Sequence, residues 1–305
     1  MSGASIAAFL FPGQGAHSPN MLDGLRQCPS FARRYALVVE QLGVDPLLQR
    51  HDLAVINSNK VSSMLTVLAS SLSLDLLREQ GASASYLAGY SVGQWTALYG
   101  AGCFDFAELI EIVYARASFM DECFADKSGA MVAVIGLPLQ TVQNVCAKMQ
   151  QEGLFLEVSN YNCTGQYSLA GDLEAVDKAI LLLETMGGKK IQRLPVAGAW
   201  HCRILAAAEA KFLAFLQNRV MKSPTVPVCD NVSGDFLPQD PVQMKQRLAE
   251  QVASPVQWEK CIQTMCAAGC TELVEVGFGN VLTKFGFFIN RKVVNRAFYT
   301  GSDGG

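Results

Sequence analysis

The segment YLAGYSVGQWTALY, residues 86–99, carries the clearest local signal in the chain. An apolar run, Tyr86–Ala88, leads into Gly89-Tyr90-Ser91-Val92-Gly93, and a helical run, Gln94–Tyr99, follows. Strand, Gly-x-Ser-x-Gly and helix in this order predict a nucleophile elbow, a sharp turn that raises the serine above the end of a sheet. The alternative is an ordinary loop with Ser91 as the helix N-cap, because the bare string is common by chance.

Short apolar runs and helical stretches alternate on both sides of this segment. Strands are predicted at Ala7–Phe11, Leu87–Tyr90 and Leu273–Val276, and helices at Leu65–Gln80, Phe106–Cys123 and Pro241–Ala253. Such alternation predicts an α/β fold in which helices cover a parallel sheet. Together with an elbow, it predicts an α/β-hydrolase-like domain.

The middle of the chain follows a different order. Strands are predicted at Ala130–Ile135, Phe155–Tyr161, Gln166–Ala170 and Lys190–Pro195, and helices at Leu139–Gln151 and Leu173–Met186. This βαββαβ order is that of a small ferredoxin-like unit. We therefore predict a large domain of residues 1–127 and 197–295, into which a ferredoxin-like subdomain of residues 128–196 is inserted. A cleft should separate the two, and residues 296–305 should form a tail that frays from Thr300 onward.

Composition argues against several classes of protein. Half of the 305 residues are apolar, 17% are charged and the formal net charge is −3, so the chain lacks the basic excess typical of nucleic-acid-binding proteins. No apolar run approaches the roughly 18 residues of a membrane span, and the apolar start, Ile6–Phe11, is too short for a signal peptide. Ten scattered cysteines without a CxxC pair predict reduced thiols in the cytoplasm and no metal site.

A serine nucleophile needs a base, and the chain has three histidines. His51 lies in a polar stretch and is predicted at the surface. His17 follows a glycine-rich loop and could line a site. His201 comes where the chain re-enters the large domain beside the cleft, so it is our first choice as the base for Ser91. A hydrogen-bonded structural histidine is the usual alternative.

Two further features point to a reaction site. The glycine-flanked loop Phe11–Gly15 follows the first strand, where ligands bind in parallel sheets. The backbone N–H groups of Gln14 and Val92 are therefore candidates for an oxyanion hole, with a plain tight turn as the alternative. Arg116 falls on the apolar stripe of the predicted helix at 106–123. A buried guanidinium needs a partner, so it either forms a salt bridge or awaits an anion such as a carboxylate.

Eight ordered motifs span the chain from Phe11 to about Phe285. They are FPGQGAH at 11–17, GYSVGQ at 89–94, RxxFM at 116–120, GAMxAxIGL at 129–137, NxNxxGQxxxAG at 160–171, AWHC at 199–202, SPVQW at 254–258 and EVGFGNVLT at 275–283. Together they resemble the malonyl-CoA:acyl carrier protein transacylase family, which includes stand-alone enzymes of fatty-acid synthesis and acyltransferase units of polyketide synthases.

The resemblance implies a role for each matching residue. Ser91 matches the nucleophile that carries the acyl group, His201 matches the general base, and Gln251 supplies the backbone carbonyl that orients the histidine. Gln14 and Val92 match the oxyanion-hole amides. The implied substrate-binding residues are Arg116, which holds the malonyl carboxylate, and Trp200, Tyr90, Ser63, Asn160 and Asn162.

This chain departs from the family at two positions. Tyr90 stands where the family usually has histidine, and Ser63 stands where it has glutamine. Both changes favour a specialised branch, such as a secondary-metabolite pathway. The bulk of Trp200 beside the catalytic histidine favours malonyl over methylmalonyl groups, a choice that resembles the malonyl-selective branch of the family.

The implied function is transfer of a malonyl-type acyl group from acyl-CoA to the phosphopantetheine thiol of an acyl carrier protein, through an acyl-Ser91 intermediate. No bound cofactor, metal, nucleic acid or membrane is expected. Two alternatives stay open: an acyl hydrolase that proofreads carrier proteins, and a non-catalytic docking subunit. Because such carriers are acidic, a basic surface is expected. The candidates are Lys189, Lys190, Arg193 and Arg203, and a plain solvated surface is the alternative.

Overall fold

The computed structural model describes residues 6–15, 18–126, 128–196 and 198–298. His17 lies outside the described residues, as do Lys127 and Ala197 at the predicted ends of the small subdomain. The frayed tail predicted from Thr300 also lies outside them.

Strands and helices alternate along most of the described chain. The strands are β1 (Ala7–Phe11), β2 (Tyr86–Gly89), β3 (Gly129–Ile135), β4 (Leu156–Cys163), β5 (Gln166–Asp172), β6 (Lys190–Arg193), β7 (Val228–Cys229), β8 (Glu272–Val276) and β9 (Val294–Phe298). The α-helices are α1 (Phe31–Leu42), α2 (Leu53–Ile56), α3 (Asn59–Glu79), α4 (Gly93–Gly100), α5 (Phe106–Glu122), α6 (Leu139–Gln151), α7 (Leu173–Thr185), α8 (Ala206–Gln217), α9 (Pro241–Glu250), α10 (Trp258–Ala267) and α11 (Val281–Ile289).

A parallel sheet with the strand order β7-β2-β1-β8-β9 is the scaffold of the large domain. The last residues of β1 and β2, Phe11 and Gly89, are paired in its register. Because all strands run in one direction, the loops that follow β1, β2 and β7 meet at one edge. That edge is where an α/β sheet binds its ligands.

At the centre of this sheet, both faces of β1 and β2 are largely buried, as their apolar sequences require. On β1, Phe9 and Phe11 pack into a core shared with α3, α4 and α5. Ala8 and Leu10 point to the opposite face, into a core that contains Trp258 of α10. The two cores immobilise β1 and β2, so the loops at their ends start from rigid positions.

The small subdomain is an antiparallel sheet of order β4-β5-β3-β6 covered by α6 and α7. In the order of its own strands this is 2-3-1-4, so the predicted ferredoxin-like βαββαβ insertion is confirmed. Alternate residues of β3 divide between two environments, with Val132 and Val134 in the subdomain core and Met131 and Ala133 facing the cleft. The cut points at 127/128 and 196/197 stay a prediction.

Most predicted elements agree with the structure within three residues, and the exceptions have local causes. Helix α3 begins at Asn59, six residues before the predicted start at Leu65, because the polar residues of its first turns are buried beside the site. Tyr90 lies outside β2, since the chain turns there. The assignment of Arg296–Phe298 to the tail was wrong, because these residues belong to β9, which pairs with β8.

Among the described residues, one helix is long and apolar enough to span a membrane, namely α3. Of its most apolar window, 83% is buried inside the protein, as expected for a central core helix.

Candidate active site

Ser91 occupies a strained turn between β2 and α4. Its φ of +53° is rare for a residue with a Cβ and costs about 1–3 kcal/mol. Both glycines of the motif are needed for close approach: a Cβ on Gly89 would lie 2.0 Å from the carbonyl carbon of Gly93, and one on Gly93 would lie 2.2 Å from the oxygen of Phe11. The sequence thus allows β2, α4 and β1 to meet at the distance that an elbow requires.

Asn231, in the loop after β7, clamps this turn. Its side-chain Oδ1 accepts a hydrogen bond from the backbone N–H of Ser91 at 2.9 Å, and its Nδ2 donates to the oxygen of Gly89 at 2.8 Å. Sequence reasoning missed this residue. The available signal was its place after a strand that pairs with β2, because loops at neighbouring strand ends converge.

Ser91 and His201 are brought together, although 110 residues separate them. Ser91 Oγ lies 2.6 Å from His201 Nε2, and His201 Nδ1 lies 2.9 Å from the backbone oxygen of Gln251. A carbonyl oxygen only accepts, so Nδ1 carries the proton and Nε2 faces the serine with its lone pair. His201 also has a positive φ, +59°. This arrangement orients a neutral imidazole as a base toward the serine hydroxyl.

The imidazole of His201 is held in its neutral form. Burial, and after it the positive charge of Arg116, lower the pKa of His201 from 6.5 to about 3. A buried group resists acquiring a charge, and a nearby cation adds to that resistance. His201 therefore stays deprotonated, and able to accept a proton, throughout the neutral pH range.

Arg116 is buried on α5, with 1% of its surface exposed. Its guanidinium donates to the side-chain Oε1 of Gln251 at 3.2 Å, and its Nε has no hydrogen-bond partner. No carboxylate among the described residues forms an ion pair with it, so the salt bridge considered from the sequence is absent from this part of the chain. Burial lowers the pKa of Arg116 to about 10, and the group remains a cation at neutral pH. It is thus a buried cation without a counter-ion among the described residues.

Gln251 has a second role that its sequence position did not reveal. Besides the backbone oxygen that faces His201, its side-chain Nε2 lies 2.8 Å from the oxygen of Ser91 and 2.9 Å from Oε1 of Gln94. The same amide accepts from Arg116 through Oε1. Gln251 therefore connects His201, the Ser91 turn and the buried Arg116, which fixes their relative positions.

The two backbone amides predicted for an oxyanion hole lie on adjacent loops. Across the described ranges, no protein group accepts a hydrogen bond from the N–H of Val92 or of Gln14. The side chain of Gln14 is anchored on α3, since its Nε2 lies 2.8 Å from Ser62 Oγ and 2.9 Å from Ser63 Oγ. Ser63 thus contacts the Gln14 loop and does not line the cleft.

A cleft of about 260 Å³ opens above Ser91 and His201, between the large domain and the small subdomain. Trp200 forms part of its wall, is buried, and packs edge-on against Phe124 with ring centroids 5.3 Å apart. The aromatic contact restricts the rotamers of Trp200, so its bulk beside the base is a fixed feature.

Tyr90 links the elbow to the small subdomain. Its hydroxyl donates to Oδ1 of Asn162 at 2.6 Å, and its ring packs edge-on against Trp258 at 5.5 Å. Burial raises the pKa of Tyr90 well above its ordinary value, so it stays a neutral phenol. Asn162 and Asn160 both line the cleft, and Asn160 Oδ1 accepts from Ser159 Oγ at 2.7 Å.

The remaining candidates do not line the cleft. His51 is exposed, as predicted. In the candidate basic surface, Arg193 pairs with Asp177 and Arg203 pairs with Glu157, so both guanidinium groups already have carboxylate partners. Within the described ranges, no group of three or more His, Cys, Asp or Glu residues could hold a metal ion.

The chain is similar to known proteins over most of its length. Residues 8–287 match the family described as "Acyl transferase domain". The chain is 34% identical to the malonyl CoA-acyl carrier protein transacylase of Escherichia coli (strain K12) over 286 residues, 90% of each protein. It is 32% identical to the polyketide biosynthesis protein ThaF of Burkholderia thailandensis over 284 residues, 92% of this chain and 24% of that protein.

A solved structure shows the same fold. It is that of a malonyl-transacylase in complex with its type II PKS acyl-carrier protein, and it matches with a TM-score of 0.89 at 29% identity, covering 96% of this chain and 95% of that chain. With the family match over most of the chain, and with relatives of this identity and coverage, the chain is an acyltransferase that belongs to the malonyl-CoA:acyl carrier protein transacylase family.

Proposed function

We propose that the chain moves a malonyl group from malonyl-CoA to the phosphopantetheine thiol of an acyl carrier protein, through an acyl-Ser91 intermediate. The observation that carries the proposal is the 2.6 Å contact between Ser91 Oγ and the neutral His201 Nε2. The transacylase activity and the carrier-protein partner printed in the names of the relatives support it.

In the first half-reaction, His201 Nε2 takes the hydroxyl proton as Ser91 Oγ attacks the thioester carbonyl carbon. The N–H groups of Val92 and Gln14 stabilise the negative charge that develops on the carbonyl oxygen. The C–S bond then breaks, and the imidazolium returns its proton to the departing coenzyme A thiolate. The product is a malonyl ester of Ser91.

In the second half-reaction, the thiol of the carrier's phosphopantetheine arm enters the same position. His201 Nε2 takes the thiol proton, the sulfur attacks the ester carbonyl, and the bond to Ser91 Oγ breaks as the proton returns to that oxygen. Every proton is transferred through His201, so no metal, redox group or bound cofactor is required.

Arg116 selects an acyl group that carries a carboxylate. Its buried guanidinium has no carboxylate partner in the described structure, and a charge-assisted hydrogen bond to malonate would supply one. An acetyl group would leave the cation unpaired. Trp200 limits the room beside the acyl α-carbon and disfavours branched groups such as methylmalonyl.

We place the reaction in polyketide or other secondary-metabolite synthesis and in the cytoplasm. The unusual Tyr90 and Ser63 support the pathway, as do relatives named for polyketide biosynthesis. None of the ten cysteines, all of which the structure describes, forms a disulfide, in keeping with a reducing compartment.

The experiment that tests the proposal is intact-mass analysis after incubation with malonyl-, methylmalonyl- and acetyl-CoA. We expect one malonyl mass on the segment that contains Ser91, and none in Ser91→Ala. His201→Ala should slow acylation by about 10²–10⁴-fold. Ser71→Ala, a buried serine within α3, is the matched control and should acylate normally.

Labelling that persists in Ser91→Ala would contradict the proposal. Release of free malonate, in place of transfer when a holo carrier protein is added, would identify the chain as a hydrolase. A protein that binds carrier but takes no acyl group would instead be a docking subunit.

A further inference from the structure

Polar links join the small subdomain to the large domain along strand β4 and the turn directly after it. They connect Arg203 to Glu157, the backbone of Val256 to Ser159 and Tyr161, Tyr90 to Asn162, and Glu259 to Thr164. In the order β4-β5-β3-β6, β4 is an edge strand. These links therefore hold the subdomain by one side of its sheet, and apolar packing adds to them.

Of these links, the one between Tyr90 and Asn162 lies in the active-site cleft. Both residues line the cleft, and the tyrosine hydroxyl donates to Oδ1 of Asn162 at 2.6 Å. The links through Arg203 and Glu259 are exposed, so solvent weakens them. Asn162 is 2% exposed, and a hydrogen bond is stronger where water is excluded. Among the side-chain links, the Tyr90–Asn162 bond therefore resists opening of the cleft most.

The donor of this bond is one residue from the nucleophile. Tyr90 directly precedes Ser91, and its ring packs against Trp258 and Phe285, with centroid distances of 5.5 and 6.1 Å. The packing restricts the rotamers of the tyrosine, so its hydroxyl is a fixed point on the large domain. The hydrogen bond from that hydroxyl sets how far Asn162, and with it the subdomain, lies from the Ser91 turn.

The opposite wall of the cleft depends on that distance. The backbone bonds of Val256 hold β4 in place, so β4 is the axis about which the sheet can turn. Met131 and Ala133 of β3 line the cleft, two strands away from β4. Strands lie about 4.8 Å apart, so a rotation of about 10° would move β3 by roughly 1.7 Å. That exceeds the roughly 1.4 Å radius of a water molecule, so a small rotation would admit water beside Ser91.

We propose that Tyr90 is a positioning residue that keeps water away from acyl-Ser91, because its bond to Asn162 holds the small subdomain in place over the ester. The inference rests on the proposed function, since it concerns the fate of the acyl-Ser91 intermediate. The ester has to survive until the thiol of the carrier arrives, and bulk water is present in large excess over that thiol. The 9% exposed fraction of Ser91 fits a site from which water is largely excluded.

The reaction that the Tyr90–Asn162 bond opposes is hydrolysis by the same machinery. A water molecule in the position of the thiol gives a proton to His201 Nε2, and its oxygen attacks the ester carbonyl. The bond to Ser91 Oγ then breaks, and the proton returns from His201 to that oxygen. The products are free malonate and an unmodified serine, so each hydrolysis event wastes one malonyl-CoA.

Tyrosine suits this position because its hydroxyl donates at every pH at which the enzyme works. Burial raises the pKa of Tyr90, so the phenol keeps its proton. A histidine, the usual residue here in the family, would change its charge and its number of donors near its ordinary pKa of about 6.5. The link to Asn162 is therefore independent of pH in the neutral range.

The test measures the lifetime of acyl-Ser91 without a thiol acceptor. The wild type, Tyr90→Phe, Asn162→Ala and the double variant are loaded with malonyl-CoA, freed of coenzyme A by rapid gel filtration and sampled by intact mass. Phenylalanine keeps the ring and removes only the hydroxyl. We expect the hydrolysis rate to rise about five- to tenfold in each single variant, as loss of one buried hydrogen bond implies. It should rise no further in the double variant, because both changes remove the same bond.

The matched control is Tyr86→Phe. Tyr86 begins strand β2, its hydroxyl donates to the backbone oxygen of Ala268 at 2.7 Å, and it does not line the cleft. This variant loses a tyrosine hydrogen bond of similar length and should hydrolyse acyl-Ser91 within about twofold of the wild-type rate, because that bond is not a link to β4.

A second readout is the partition of acyl-Ser91 when the holo acyl carrier protein of Escherichia coli is added. Tyr90→Phe should release a larger share of its malonate as free acid than the wild type, whereas general damage to the site would slow transfer and hydrolysis together. The proposal is wrong if Tyr90→Phe hydrolyses acyl-Ser91 at the wild-type rate, if the two single effects multiply in the double variant, or if Tyr86→Phe has an equal effect. A wild type that forms no acyl-Ser91 would instead contradict the proposed function.

Discussion

Replacing Asn231 by alanine removes the clamp on the Ser91 turn. The change deletes three buried hydrogen bonds: Oδ1 accepts from the N–H of Ser91 at 2.9 Å and from Nε2 of Gln251 at 3.1 Å, and Nδ2 donates to the oxygen of Gly89 at 2.8 Å. Gln251 Nε2 keeps the oxygen of Ser91 and Oε1 of Gln94 as acceptors, so the N–H of Ser91 and the oxygen of Gly89 are the groups that lose a partner. Each buried group left unpaired costs about 1–3 kcal/mol, so the free energy of unfolding should fall by about 2–6 kcal/mol. The strain of the Ser91 backbone, at φ +53°, is then no longer offset by these contacts, and the turn should relax.

Relaxation of this turn should also lower the rate of acyl-Ser91 formation. Ser91 Oγ is held 2.6 Å from the base only because the turn is held, and a displacement of about 1 Å can cost about 10²-fold in rate. We therefore expect the rate of acyl-Ser91 formation to fall by about 10²-fold, with a smaller change in KM for malonyl-CoA.

Two measurements test this prediction: urea unfolding for stability, and rapid-quench intact-mass analysis for acylation. The matched control is Asn218→Ala, which removes an exposed asparagine amide at the end of α8 and should shift stability by less than about 0.5 kcal/mol. The prediction is wrong if the free energy of unfolding of Asn231→Ala lies within about 0.5 kcal/mol of the wild-type value and its acylation rate is unchanged. Asn231 would then not be needed to hold the strained turn in place.

Four further predictions concern Arg116, Trp200 and His201. Arg116→Ala should lower kcat/KM for malonyl-CoA by about 10²-fold, because a charge-assisted hydrogen bond is worth roughly 1.5–3 kcal/mol. The same variant should prefer acetyl-CoA as the donor. Equal wild-type rates with malonyl-CoA and acetyl-CoA would show that Arg116 has a structural role. Trp200→Ser should admit methylmalonyl-CoA in competition assays, and an unchanged preference would remove Trp200 from selectivity. Because the pKa of His201 falls from 6.5 to about 3 on folding, acylation kcat/KM should show no His201 limb between pH 8 and 5. As the pH is lowered below 6.5, the unfolded state takes up this proton and the folded state does not. The free energy of unfolding should therefore decrease as the pH is lowered from about 6.5 towards 3, and it should decrease less steeply in His201→Gln.

Much of the fold was predictable because local patterns carry it. The alternation of apolar runs and helical stretches indicated the parallel sheet and its helices, and the βαββαβ order indicated the inserted subdomain. The Gly-x-Ser-x-Gly segment indicated the sharp turn between β2 and α4. The early start of α3 was not predictable in this way. Its first turn is polar, and its buried side chains find hydrogen-bond partners far along the chain: Gln14, some fifty residues earlier, and Asp121 on α5.

The residues of the site also differ in whether the local sequence could predict them. Residue type and local context led to Ser91, His201 and Arg116 as candidates. Ser91 lies in a Gly-x-Ser-x-Gly segment, His201 is one of three histidines, and Arg116 falls on an apolar helical stripe, so each is visible in the local sequence. No such local pattern identifies Asn231 or the side-chain role of Gln251. Each is an ordinary amide in a loop or at a helix end, and each acts across the fold.

By itself, then, the sequence determined the alternation of strands and helices, the sharp turn at Ser91 and the apolar stripe that buries Arg116. These depend on backbone sterics and on side-chain period, which neighbouring residues decide. Only the tertiary structure decided that Gln251 would join Arg116, 135 residues away, to Ser91, 160 residues away, and that Phe287 and Phe288 would face solvent. The order β7-β2-β1-β8-β9 brings distant loops to one edge, and the hydrogen bonds formed there depend on which strands are neighbours, a choice that no local pattern encodes.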